Sequence, residues 1–196
     1  MRWKITPVEF AAYTEYITDL TKRHSVRSHL YADDTQLLDC CHIEHLPVAR
    51  SRLTSCVSEV TQWCASRRLQ LNSDKTEVIW FGSKANLIKL KSCDCSLPVG
   101  SETVQPASVV RDLGVLLDAQ LTMKQHINKV TAACCYQLRR LRQIRQRVGI
   151  EVTTQLVLAL VTSRLDYCKS VLGALPHTVH DQTTTACTEH CSAADF

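Results

Sequence analysis

The chain has 196 residues, 45% of them hydrophobic, which excludes a disordered chain and suffices for one ordinary domain plus a small helical appendage. A net charge of +4 does not by itself point to a polyanionic partner. Eleven cysteines with no signal peptide, including the adjacent pairs Cys40/Cys41 and Cys134/Cys135, argue against a secreted disulfide scaffold. They read as reduced, core-filling thiols of an intracellular protein, nuclear or cytoplasmic.

Apolar spacing predicts a first helix over 7–20, with Phe10, Tyr13 and Ile17 on one face, ending near Thr21-Lys22-Arg23. Two strand-forming runs then flank a polar tip between about Val26 and Leu38, which predicts a β-hairpin with Asp33 and Asp34 at its turn. Nothing else in the chain sets adjacent carboxylates in an apolar neighbourhood. Side-by-side carboxylates repel each other, and a cation relieves the repulsion. Hard oxygen donors select Mg²⁺ or Mn²⁺. Two such ions roughly 3.5–4 Å apart can activate a 3′-hydroxyl and stabilise a leaving pyrophosphate. The plainer alternative is a solvated surface turn, where Asp is favoured for local hydrogen bonding.

The cleanest helical pattern runs from Val48 to Arg68, with Ala49, Leu53, Cys56, Val57, Val60, Trp63 and Cys64 on its inner face and Pro47 at its start. Trp63 reads as core. A turn at Asn72-Ser73-Asp74 leads to a strand over Thr76–Phe81, closed by Gly82, with Lys75 just ahead of it. Between Leu87 and Leu117, apolar runs alternate with Pro98, Gly100, Ser101 and Pro106, predicting two or three small strands. Leu113-Gly114-Val115 fits one whose glycine admits a close backbone approach, or a β-bulge. Cys93-Asp94-Cys95 lacks the two-to-four-residue gap usual for zinc.

Between Ala119 and Ile150 there is no Asp or Glu. Lys124, Lys129, Arg139, Arg140, Arg142, Arg145 and Arg147 give this stretch +7, so of the net +4 the remainder stands at −3. A helix is expected over Lys124–Arg147, with Ile127, Val130, Cys134, Leu138, Leu141 and Ile144 inward, ended by Gly149. A second helix, Val152 to Leu172, carries Leu156, Val157, Leu160, Val161 and Leu165. The apolar run Leu156–Val161 is too short to span a bilayer, and no membrane is expected. Positive charge suits the end of a helix, but five arginines from Arg139 to Arg147 exceed what the dipole asks. Neutralising phosphates along a nucleic acid explains them better. In the tail, His177, His180, Cys187, His190 and Cys191 have zinc-like spacings within a polar, Thr-rich stretch that reads as disordered; no zinc is expected.

Four segments in order carry a family resemblance. Tyr31-Ala32-Asp33-Asp34 resembles the YADD box of LINE-type (non-LTR) retrotransposon reverse transcriptases. Trp63 with Leu69-Gln70-Leu71-Asn72-Ser73-Asp74-Lys75-Thr76-Glu77 and Phe81-Gly82 resembles the family's W…LxLNxxKTE…FG segment. Val110-Arg111-Asp112-Leu113-Gly114-Val115 resembles its primer-grip strand, and His126-Ile127 with Ser163-Arg164-Leu165-Asp166-Tyr167-Cys168 the part that follows. The match extends from about Pro7 to Pro176.

The resemblance implies an α+β fold: a partial polymerase palm over 1–118, in which an antiparallel sheet is backed by the 48–68 helix, then a helical thumb over 119–176 and a tail over 177–196. It implies RNA-directed DNA polymerase activity with Asp33 and Asp34 on Mg²⁺ (or Mn²⁺) and Lys75 as general acid or charge stabiliser. Tyr31, Leu113, Gly114, Arg139, Arg140, Arg142 and Arg145 would meet an RNA template and DNA primer, with deoxynucleotides as substrates. The family's third carboxylate, on an upstream strand, has no counterpart here, since Glu9, Glu15 and Asp19 fall on the first helix. The fingers are also absent. A fragment inactive alone is therefore expected, holding metal weakly, with a missing polymerase half as a candidate partner. The alternatives are a non-catalytic nucleic-acid-binding module and a transposon relic without activity.

Overall fold

Each long amphipathic stretch forms a helix and each pair of short apolar runs folds into a hairpin, giving a mixed α+β chain. The structure is a computed structural model that describes residues 7–167 and Lys169. The elements are α1 (Pro7–Arg23), β1 (Arg27–Tyr31), β2 (Asp34–Leu38), α2 (Leu46–Ser66), α3 (Lys84–Leu90), β3 (Leu97–Val99), β4 (Glu102–Val104), β5 (Val109–Asp112), β6 (Val115–Asp118) and α4 (Lys124–Val157). A π-helical turn, Leu158–Thr162, and α5 (Ser163–Asp166) follow. The second predicted helix is thus described as far as Asp166, and the histidines and cysteines of the tail lie outside the described residues. Two compact units divide between Ala107 and Ser108.

In the first unit, Leu53, Cys56, Val60 and Cys64 of α2 pack against Ile17 and Leu20 of α1, with Val26 and Leu97 closing the core. Pro47 stands in the first turn of α2, as expected. The inner face of α1 is Thr14, Ile17, Leu20 and Thr21; of the predicted Phe10, Tyr13 and Ile17, Ile17 alone is buried there. Tyr13 and Tyr16 lie outside, their rings each 6.2 Å from a half-buried Trp63. Tyr13 turns outward because its hydroxyl donates to the Arg67 carbonyl at the surface, 3.1 Å away. Two arginines of α2 tie down the neighbouring loops. Arg52 grips the carboxylate of Asp39, just after β2, through both Nε (2.9 Å) and Nη2 (2.6 Å). Arg50 donates to Asp94 and to the carbonyl of Ser96, just before β3.

A single palm sheet is not present among the described residues. The strands pair only as three separate antiparallel hairpins, β1–β2, β3–β4 and β5–β6. These strands are three to five residues long, and each finds its partner across a tight turn. The strand predicted over Thr76–Phe81 reduces to one bridge, Val78 beside Pro106, with Ala107 N–H donating to the Val78 carbonyl at 2.7 Å. Proline has no N–H to extend a ladder, so pairing stops there. Lys84–Leu90 is helical where strands were expected from Leu87; the Ser83 hydroxyl caps it by accepting from Asn86 N–H.

In the second unit, Leu113-Gly114 is a turn and not part of a strand. Asp112 pairs with Val115, and both turn residues have positive φ, +43° and +91°. That conformation is the two-residue hairpin loop whose twist matches its strands. Val115 of β6 packs on Met123 and Ile127, joining the hairpin to the start of α4. The Asp118 carboxylate accepts from the backbone N–H of Thr122 at 2.5 Å and from its hydroxyl. Helix α4 is broken at Gly149 (φ +77°, ψ +171°), and the chain beyond folds back, packing Val161 against Cys134 and Leu138. None of the eight described cysteines is in a disulfide; burial raises the thiol pKa values of Cys56 and Cys64, which keeps them protonated.

By length and composition alone, one described stretch, Lys124–Asp166, is long and apolar enough to cross a membrane. Its helix is broken at Gly149.

His126, near the start of α4, is buried, and its Nδ1 accepts from Leu116 N–H at 3.4 Å. Burial, then Lys129 nearby, lowers its pKa from the ordinary 6.5. Below pH 6.5 the unfolded chain therefore takes up a proton that the folded chain resists. Stability is full above that pH and falls as the pH drops towards the folded-state value. Urea midpoints at pH 7.5 and 5.5 should differ less in His126→Gln than in the wild type once other titrations are subtracted; an equal difference would contradict the assignment.

Candidate metal-binding tip and nucleic-acid interface

Hairpin β1–β2 pairs Tyr31 with Asp34 across a two-residue loop, Ala32-Asp33. Asp33 is thus in the turn, as expected, and Asp34 opens the returning strand. Ala32 adopts φ +53°, a left-handed conformation costing a residue with a Cβ about 1–2 kcal/mol. Tyr31, Asp33 and Asp34 are all exposed at this tip. Two neighbouring hard-oxygen donors meet only part of a magnesium ion's six-ligand shell. Among the described residues no group of three or more His, Cys, Asp or Glu is placed to hold a metal. The donor type fits Mg²⁺; the number of donors fits only a weakly held, largely hydrated ion.

Lys75 is exposed, in a short 3₁₀ turn, Ser73–Lys75. Asn72 shapes this turn by accepting the Lys75 N–H on its side-chain oxygen. No ion pair joins Lys75 to Asp33 or Asp34. An open depression of about 480 Å³ in the same unit is lined by His24, Pro47, Val48, Ser51, Arg52 and Ser55, none of them a predicted site residue. Its basic side chains are engaged, His24 with Glu59 and Arg52 with Asp39.

In the second unit, a Cβ built on Gly114 would lie 3.6 Å from the Tyr167 ring, and the Tyr167 hydroxyl donates to the Leu113 carbonyl. A side chain of the same unit thus lies close to this glycine. Tyr167 carried no predicted role, and its distance in sequence hid the contact.

The arginine run wraps around α4. Arg139 and Arg140 are exposed together with Lys129 and Arg147, while Arg145 is half-buried on another side of the helix. Both Arg142 and Arg145 are engaged in interactions within the protein. Gln125, Lys129, Ala132, Tyr136, Arg140, Gln143 and Arg147 recur at three- and four-residue steps, and all are exposed. They form one outward stripe opposite the buried Cys134, Leu138 and Leu141. From Lys129 to Arg147 it runs about 27 Å, the axial length of roughly eight base pairs. Lys129 and Tyr136 were not among the predicted contact residues, although their spacing was already visible in the sequence. No family model, curated protein or solved structure matches the chain.

Proposed function

We propose that this chain is part of an RNA-directed DNA polymerase of the LINE type, a reverse transcriptase, and that alone it lacks polymerase activity. The observation that carries the reading is the exposed hairpin tip with Asp33 in the turn and Asp34 beside it. Those two carboxylates would hold Mg²⁺ or Mn²⁺, with water and a carboxylate from another part of the enzyme filling the shell. The bound metal supplies activation of a 3′-hydroxyl and charge neutralisation at the pyrophosphate. Lys75 would add positive charge near the leaving group. Tyr31, Leu113 and Gly114 would contact primer and template, and the α4 stripe would follow phosphates. An intracellular location goes with this reading.

Paramagnetic Mn²⁺ tests the tip. It should broaden the amide NMR signals of Tyr31 and Asp34 at millimolar concentration, and the broadening should vanish in Asp33→Asn/Asp34→Asn. Broadening that survives the double substitution removes the metal cradle and the reading with it. Primer extension with Mg²⁺ should give no incorporation. Incorporation that is lost in Asp33→Ala would instead make the chain a complete catalyst.

A second reading, a non-catalytic nucleic-acid-binding module, is favoured by the stripe itself, which needs no metal to neutralise phosphates. It predicts salt-sensitive binding that is indifferent to Asp33.

A further inference from the structure

Phosphate contacts account for Lys129, Arg139, Arg140 and Arg147, but not for what stands among them. Tyr136 is the only Phe, Trp or Tyr between Ala119 and Asp166, and it is 55% exposed. Lys129 lies about 10 Å from it along the helix axis in one direction and Arg147 about 17 Å in the other. The Arg140 guanidinium covers one side of the ring, its Cζ 5.7 Å from the centroid. This contact restrains the ring and leaves more than half of the residue in solvent.

A lone exposed aromatic is ordinary on a protein surface. Here, however, it sits midway along a cationic stripe in a stretch that carries no carboxylate. A duplex keeps its base faces stacked, so a ring on a phosphate-tracking surface meets nothing there that it can stack on. An unpaired nucleotide offers a free π-face. We propose that Tyr136 stacks on an unpaired base, so that the α4 stripe reads the single-stranded overhang of a partly duplex polynucleotide. This rests on the nucleic-acid reading above and adds to it a ligand class and a specificity-determining residue. Arg140 acts as the positioning residue: it holds the ring and stays close enough to meet the phosphate of the stacked nucleotide.

Fluorescence anisotropy with two probes of the same sequence, a blunt duplex and that duplex with a single-stranded extension, tests it. The wild type should bind the extended probe about tenfold more tightly, the worth of one stacked base. Tyr136→Ala should erase that preference and leave the blunt affinity unchanged, and Tyr136→Trp should keep it. Equal wild-type affinity for the two probes, or a loss in Tyr136→Ala that is the same for both, overturns the proposal. Absence of salt-dependent binding to either probe overturns the nucleic-acid reading itself.

Discussion

Reversing Arg139, Arg140 and Arg147 together to Glu flattens the salt dependence of duplex binding. Each phosphate neutralised contributes about −0.9 to the slope of log affinity against log salt, so three lost contacts remove about 2.7 from it. Between 50 and 200 mM salt the fall in affinity therefore shrinks by about fortyfold. These residues are exposed on α4, so their loss exposes no core and leaves no buried carboxylate without a partner. Neutralising Arg142 and Arg145 makes the informative contrast. They stand off the outward stripe and are engaged within the protein, so their removal should change the slope less. Titrations at three salt concentrations give the slopes. A triple reversal with the wild-type slope would mean that the stripe touches no phosphate.

Leu20→Ala should have the largest effect on stability. Leu20 is 1% exposed and sits in the core between α1 and α2. Removing a buried leucine side chain costs about 2–5 kcal/mol, the spread reflecting how far the site collapses. Total stabilities are about 5–15 kcal/mol, so the loss is a large fraction of what holds the first unit together. Circular dichroism should show melting about 8 °C lower or more, at roughly 4–8 °C per kcal/mol for a unit of this size. Leu20→Met, which conserves volume, should cost under about 1.5 kcal/mol. A melting temperature unchanged in Leu20→Ala would place this side chain outside the core.

What the sequence disclosed followed the physics of each element. Helix α2 was legible because its apolar residues keep one phase for five turns, and tertiary packing only confirms that face. The acidic hairpin was legible because two strand-like runs flank a polar tip. The strand over 76–81 was not, since strand propensity says nothing of the partner, and the neighbour that arrives is a proline. The turn at Leu113-Gly114 hid behind a leucine, a residue that rarely accepts positive φ; its carbonyl is held by Tyr167, more than fifty residues away. At the candidate interface the arginines were visible as a block of charge. Their division between two sides of α4 required laying the sequence on a helix at 100° per residue, which counting charge does not do.

Position 149 carries more than its size suggests. Its backbone angles fall in a region open essentially to glycine alone, and nothing stands within 4 Å of where a Cβ would lie, so the restriction is torsional and not a matter of room. One methyl group there would favour an unbroken rod about 65 Å long, Lys124–Asp166, over the doubled-back pair. The contact between Cys134 and Val161 would open to solvent, and the stripe from Lys129 to Arg147 would lose the support at its back. A single hydrogen atom in place of a side chain thus keeps the basic surface on a braced pair of helices.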